Sequence, residues 1–273
     1  MSLFPRLEAL QLDLFGFAVR PPPVPKPAPT AAVRQRYIQL GQRIVAYTLR
    51  QGQRRQRVAL RIDERGLSVG APGRASLASI EAFIQSHADW VLAKLDEQAN
   101  QQRERQLRIQ DGACLPLLGE HWPIRIVAGE GRGTTRNRSH WHDDHLLLEV
   151  SAGAGSEEHA HLVRRALQTR ALAVFAERLA HYAQRIGHPP PPLRLSSART
   201  RWGSCSLNSG IRINWRLIHL PLPLIDYVIA HELAHLLEMN HSPRFWAVVA
   251  QIYPDWAAAR SELQRRGKEL PLL

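Results

Sequence analysis

The residues best equipped for chemistry lie in Ile229–His241, IAHELAHLLEMNH. His231 and His235 are four positions apart, a spacing that on a helix places two imidazoles on one face, one turn apart, where they can grip a single ion. Glu232 follows the first of them, so it falls beside the ion rather than on it and can take a proton from water. His241 lies six residues beyond His235. The intervening Glu238-Met239-Asn240 lets the helix end and the chain turn back, so that His241 supplies a third ligand. Three protein ligands with a fourth position open to water is the catalytic arrangement of zinc, not the closed structural one. Neutral imidazoles with a carboxylate base suit that metal, and one Zn2+ is the expected cofactor. Ile225, Val228, Ile229, Leu233, Leu236 and Leu237 give the segment a buried character. Uncompensated His and Glu would be costly to bury there, and a metal removes that cost.

Glu238 has three readings: an acceptor orienting a ligand His, a ligand in place of His241, or a solvated helix end. A second segment, Thr200–Ser206, reads TRWGSCS. Gly203 permits a tight bend there, and Ser204 and Cys205 can face the cleft. Equally, Trp202 can pack in the core and Cys205 be an inert buried thiol. A strand beside the cleft can also pair with an extended substrate through backbone hydrogen bonds. Arg201, Gly203, Ser204, Cys205 and Asn214 are therefore cleft candidates. Arg201, Asn214, Tyr227 and Arg244 are candidates to stabilise an oxyanion, each with a structural role as the alternative. His140, His142 and His145, in SHWHDDH, form either a second metal site or a polar loop; without a helical or turn framework the loop is the better reading.

These residues need elements to position them. Val58, Leu60 and Ile62 alternate with polar residues, as do Leu67 and Val69, and Asp63-Glu64-Arg65-Gly66 between them signals a hairpin. Ser76 caps a helix that runs through Ile80, Phe83, Ile84, Ala88, Val91, Leu92 and Leu95, with polar residues 96–108 extending it. Strands are expected at 115–118, 124–127 and 146–150, then a long helix over 157–187 ended by Pro189–Pro192. Short strands at 193–197 and 211–215 and helices at 222–238 and 243–252 complete the chain. Strand pairs followed by helices, without regular alternation, argue for an α+β fold.

Three segments taken together resemble the YgjP-like metallopeptidase family, related to the SprT-like and WLM proteases. They are TRWGSCS with IRINWRLI (Ile211–Ile218); VIAHELAH (Val228–His235) running into NHSPRFW (Asn240–Trp246); and LRID (Leu60–Asp63) with ADWV (Ala88–Val91). The likeness spans roughly residues 45–265. It implies a zincin-like catalytic domain with an amino-terminal strand-hairpin and helix region, and zinc-dependent hydrolysis of protein or peptide substrates. It also implies zinc on His231, His235 and His241, with Glu232 as base. The domain is expected over 37–273, its hairpin and helix part at about 45–130 and its zincin core at about 157–265.

Composition bounds the rest. Lys and Arg number 36 against 24 Asp and Glu, for a formal charge of +12. Such a chain is drawn to polyanions, and nonspecific DNA binding is the commonest form of that attraction. No apolar run approaches the roughly 20 residues needed to cross a bilayer. The opening residues lack a secretory pattern, and two cysteines make no disulfide framework, so a cytoplasmic location is expected, with nucleoid association if DNA is bound. Residues 20–36, rich in Pro, read as an extended linker. Before it, in the tail 1–19, Gln11-Leu12-Asp13-Leu14-Phe15 resembles the bacterial sliding-clamp-binding motif, with a Gln and a Leu-Phe pair as anchors. A peptidase recruited to DNA through the clamp is the reading that unites these features. The alternative is a DNA- or clamp-binding module with a structural zinc and no proteolysis.

Overall fold

A computed structural model describes residues 10–12, 18–19, 34–129 and 137–273. In chain order the strands are β1 (Leu10–Leu12), β2 (Ala18–Val19), β3 (Arg34–Leu40), β4 (Arg43–Gly52), β5 (Ala59–Asp63), β6 (Gly66–Pro72), β7 (Cys114–Leu117), β8 (Glu120–Ala128), β9 (Arg138–Trp141), β10 (Leu146–Val150), β11 (Leu193–Ser196), β12 (Gly203–Ser206) and β13 (Gly210–Asn214). The helices are α1 (Leu77–Gln85), α2 (Ala88–Arg105), α3 (Ser156–Arg185), α4 (Leu222–Ala234), α5 (Pro243–Ile252) and α6 (Trp256–Arg266), with a 3-10 turn at Trp215–His219 before α4. The fold is α+β. Among the described residues no helix is long and apolar enough to cross a membrane.

The chain divides into two compact units. One is Val24–Gln106, described from Arg34. Its sheet has the order β3-β4-β6-β5, with β3–β4 and β5–β6 antiparallel hairpins and β4 parallel to β6. Arg34–Arg36 belong to this sheet and not to the Pro-rich linker. Ile38, Leu40, Val45, Tyr47, Leu67, Val69 and Ala71 meet Ile80, Ile84 and Val91 of the helices in one core. The single helix expected from Ser76 onward is two. Ser86 Oγ donates to the Phe83 carbonyl at 2.9 Å, and His87 Nδ1 lies 2.9 Å from the same oxygen. These local side-chain bonds compete with the helix ladder and end α1 there. Ser76 does cap α1, accepting from the Ser79 N–H.

The other unit is Met1–Pro23 with Leu107–Leu273. Strands β7 and β8, grouped with the amino-terminal part on sequence, belong here instead. Their Leu115, Leu117 and Ile124 join a core that includes Phe175, Ile213, Ile229 and Phe245. One sheet has the order β7-β8-β10-β9 and the other β11-β13-β12-β1-β2. Three contacts fix α4 in this frame. Arg178 on α3 grips Asp226 through two bonds of 2.7 Å, Nε to Oδ1 and a terminal nitrogen to Oδ2. His219, at the end of the 3-10 turn, donates from Nδ1 to the Pro116 carbonyl at 2.6 Å. Gly119 (φ +85°) turns β7 into β8 directly against Pro221, and a β-carbon there would sit 2.7 Å from Pro221 Cγ.

Candidate metal centre

The helix that holds the site is enclosed on every side: every residue from Leu224 to Ala234 is buried, Asp226, His231 and Glu232 among them. It ends at Ala234 rather than 238. Leu236 N–H and Leu237 N–H each bond a carbonyl three residues back, tightening the last turn. The chain then reverses through Asn240, and Ser242 caps α5, accepting from the Phe245 N–H, with Pro243 at the first helical position. This α4–α5 turn brings His241 back onto the face of α4 that carries His231 and His235. One ligand nitrogen from each of the three lies within 4.8 Å of the others, and Nε2 of His241 is 3.1 Å from Nε2 of His231.

Burial, reinforced by the neighbouring imidazoles and Arg260, pushes His231 well below its usual range. Burial first and then His241 bring His235 to about 4, and burial with the charge of Arg260 brings His241 to about 4. Three neutral imidazoles keep their lone pairs for a cation. His235 Nδ1 donates to the Glu238 carbonyl at 3.2 Å. That fixes its tautomer and leaves Nε2, buried without a hydrogen-bond partner, to face the site. Glu238 thus contributes its backbone oxygen.

Glu232 is fully buried and neither carboxylate oxygen has a hydrogen-bond partner. Burial raises its pKa well above the ordinary carboxylate range, and the charge of Arg201 opposes that. A dication at the imidazoles would supply the positive charge that favours an ionised Glu232 here. The carboxylate lies flat on β12. A β-carbon at Gly203 would fall 2.3 Å from Oε1 and 2.6 Å from Cδ. Gly203 is therefore required for clearance, not for the tight bend expected, and its φ is not positive.

β12 alternates, with Gly203 and Cys205 buried and Ser204 and Ser206 half-buried. Cys205 does not face an open cleft. Burial, with the Glu232 charge adding to it, pushes its thiol up to about 12, which leaves no thiolate for nucleophilic work at neutral pH. Trp202 packs in the core, in the path of any side chain at Gly267. Asn214 is buried and fully engaged: Nδ2 donates to the Ala198 carbonyl at 2.7 Å and to the Arg201 carbonyl at 3.3 Å, while Oδ1 accepts from the Arg216 N–H. It holds the 198–201 loop in place and is no cleft residue. Arg244 is exposed on α5. Tyr227, one turn before His231, has its ring 6.1 Å from that imidazole and a buried hydroxyl with no hydrogen-bond partner.

Aromatic residues from the following helices close the far side. The Phe245 ring lies 4.8, 4.5 and 4.5 Å from His231, His235 and His241, and Trp246 stacks on Trp256 at 4.5 Å. Arg260 of α6 lies over Trp246 at 5.0 Å. Arg260 is the site neighbour that the sequence does not announce, because nothing in ARSELQRR distinguishes one Arg from the next and only packing of α6 selects it. His142 and His145 stack at 4.5 Å, and His145 Nδ1 bonds Asp144 at 2.6 Å. Among the described residues, only His231, His235 and His241 bring three donors together. Asp13, Leu14 and Phe15 of the clamp-like peptide lie outside the described residues, while Gln11 and Leu12 fall in β1.

The donor set fits a zinc ion: three neutral imidazoles that converge, the His235 Nε2 with no protein partner, and a buried carboxylate alongside. A family model described as YgjP-like, metallopeptidase domain, matches residues 56–266. No curated protein and no solved structure matches the chain. With the match covering most of its length, and the motif helix and its third histidine inside it, the chain belongs to the YgjP-like metallopeptidase family.

Proposed function

We propose that this protein hydrolyses peptide bonds of protein substrates, with one zinc on His231, His235 and His241 and with Glu232 as the base. The observation that carries this reading is the pairing of a buried, unpartnered carboxylate with three converging imidazoles. Bound there, zinc supplies a Lewis acid and lowers the pKa of water to about 7. Glu232 accepts the water proton and returns it to the leaving amine. The Glu238 carbonyl keeps His235 in its ligating tautomer. Arg201 helps keep Glu232 ionised, and β12, running beside Glu232, offers backbone groups to an extended substrate. Tyr227 is the side chain best placed to meet a developing oxyanion.

The test combines metal analysis with cleavage of an unfolded protein substrate. Glu232→Gln is expected to keep its zinc and lose about 10²- to 10⁴-fold in kcat, whereas His231→Ala loses both. Full activity in Glu232→Gln would remove the proposed base. Substrate delivery is proposed to use polyanion attraction, supported by the +12 charge and by exposed Arg50, Arg54, Arg55, Arg57 and Arg74 in the Val24–Gln106 unit. The Gln11–Phe15 peptide is proposed to dock on a sliding clamp. Equal recovery of wild type and of Leu14→Ala with Phe15→Ala by immobilised clamp would exclude that docking.

A further inference from the structure

The sheet beside the metal helix ends in the amino-terminal tail. Its order is β11-β13-β12-β1-β2. β1 lies antiparallel on β12, with Leu10 opposite Cys205 and Gln11 opposite Ser204. β2 folds back on β1, with Gln11 opposite Val19 and Leu12 opposite Ala18. Without β1, β12 would be the edge strand of this sheet, and that edge begins at Gly203, where the Glu232 carboxylate rests. An open edge presents a row of N–H and C=O groups to any extended chain. The tail makes its main-chain pairing at the place where an extended peptide would have to lie to reach Glu232.

We infer that the amino-terminal hairpin is a tethered occupant of the β12 edge that competes with substrate, so that the protein is autoinhibited until the tail is drawn away. The inference rests on β12 being the substrate edge of a peptidase. Two features make the device workable. The tether keeps the tail at an effective concentration of order mM, so weak pairing is enough to fill the edge. The pairing is also short, since β1 has three residues, and a two-stranded hairpin contributes little stability of its own. Filled and open states are then close in free energy. Gln11 and Leu12 are shared by β1 and by the Gln11–Phe15 peptide, so a partner that takes this peptide in extended form takes the same backbone and frees the edge.

The test uses the full chain carrying Leu10→Pro with Gln11→Pro. In an antiparallel pair adjacent residues alternate in pointing their N–H at the neighbour. Replacing both removes the one that faces β12, since Pro has no N–H. Zinc content equal to wild type verifies the fold of the variant. A labelled Pro5–Val19 peptide is expected to bind the zinc-loaded variant about tenfold tighter than wild type by fluorescence anisotropy. Against a short peptide substrate, KM is expected to fall about tenfold at unchanged kcat, as when a competitive inhibitor is removed. Equal binding of the labelled peptide by the two proteins overturns the inference. The binding measurement needs no turnover. If neither protein cleaves any peptide but the labelled tail still discriminates between them, the peptidase reading fails while the occupied edge stands. Should the variant lose its zinc, hydrogen exchange in wild type decides: β12 also pairs with β13, so the β12 amides that point away from β13 report on the edge, and exchange of those amides at the rate of an unprotected chain overturns the inference.

Discussion

The carboxylate of Glu232 and the backbone of Gly203 occupy the same small space. A β-carbon there meets Oε1 at 2.3 Å and also Cδ and Cγ within 2.7 Å, and the glutamate is fully buried. Gly203→Ala is therefore expected to displace the carboxylate while leaving the imidazoles alone. Overpacking of this kind costs about 1–3 kcal/mol. If the carboxylate is the base, kcat falls about 10²-fold or more, with zinc content unchanged. Parallel loss of zinc and activity would show that β12 supports the ligands rather than the base. Residues of this class divide sharply in how far the sequence reveals them. His231, Glu232 and His235 are legible because one helical turn dictates their geometry. His241 needs only a short reversal. The reason for Gly203 is invisible, since it depends on a side chain distant in sequence, and Arg260 is hidden for the same reason.

Helix α4 is positioned by its neighbours, and one of those attachments is a histidine. His219 closes the 3-10 turn onto the Pro116 carbonyl, and burial, opposed by that hydrogen bond and assisted by the charge of Arg216, lowers its pKa from 6.5 to about 4. A histidine whose folded pKa is depressed contributes stability that is fully present above 6.5 and is lost as pH falls from 6.5 toward 4, because only the unfolded chain takes up the proton. From pH 7 to pH 5 the loss is about 2 kcal/mol. His219→Asn keeps an amide donor for Pro116 and removes the titration. Urea midpoints measured at both pH values are expected to show wild type losing about that much more stability than the variant; parallel losses would place the acid sensitivity elsewhere. Elements with strong internal pattern were readable. Strand β10 is found at the predicted Leu146–Val150, and α3 and α5 lie within a residue or two of expectation. The α1–α2 break was not readable, because Ser86 and His87 end the helix by capturing one carbonyl while the apolar spacing runs on through Val91. α6 was missed because it buries only Ala259 and Leu263, too few positions to show a helical stripe.

At the scale of the whole chain, two separate clusters of buried side chains divide the molecule, one within Val24–Gln106 and one that surrounds the metal helix. The three imidazoles belong to the second alone, so zinc is linked to the unfolding of that unit and not of the other. A ligand that binds only the folded form stabilises it by about 4 kcal/mol when present at a thousand times its dissociation constant. In a unit of this size each kcal/mol moves the midpoint by about 2–4 °C. Calorimetry of the full chain is therefore expected to resolve two transitions, as separate cores allow. Adding a chelator should lower one of them by about 10 °C and leave the other in place. A single transition that shifts as a whole would mean that the two cores unfold cooperatively despite their separate packing. Two transitions that both ignore the chelator would mean that the three histidines hold no metal, and the buried, unpartnered Glu232 would then have no counter-charge to keep it ionised for proton transfer.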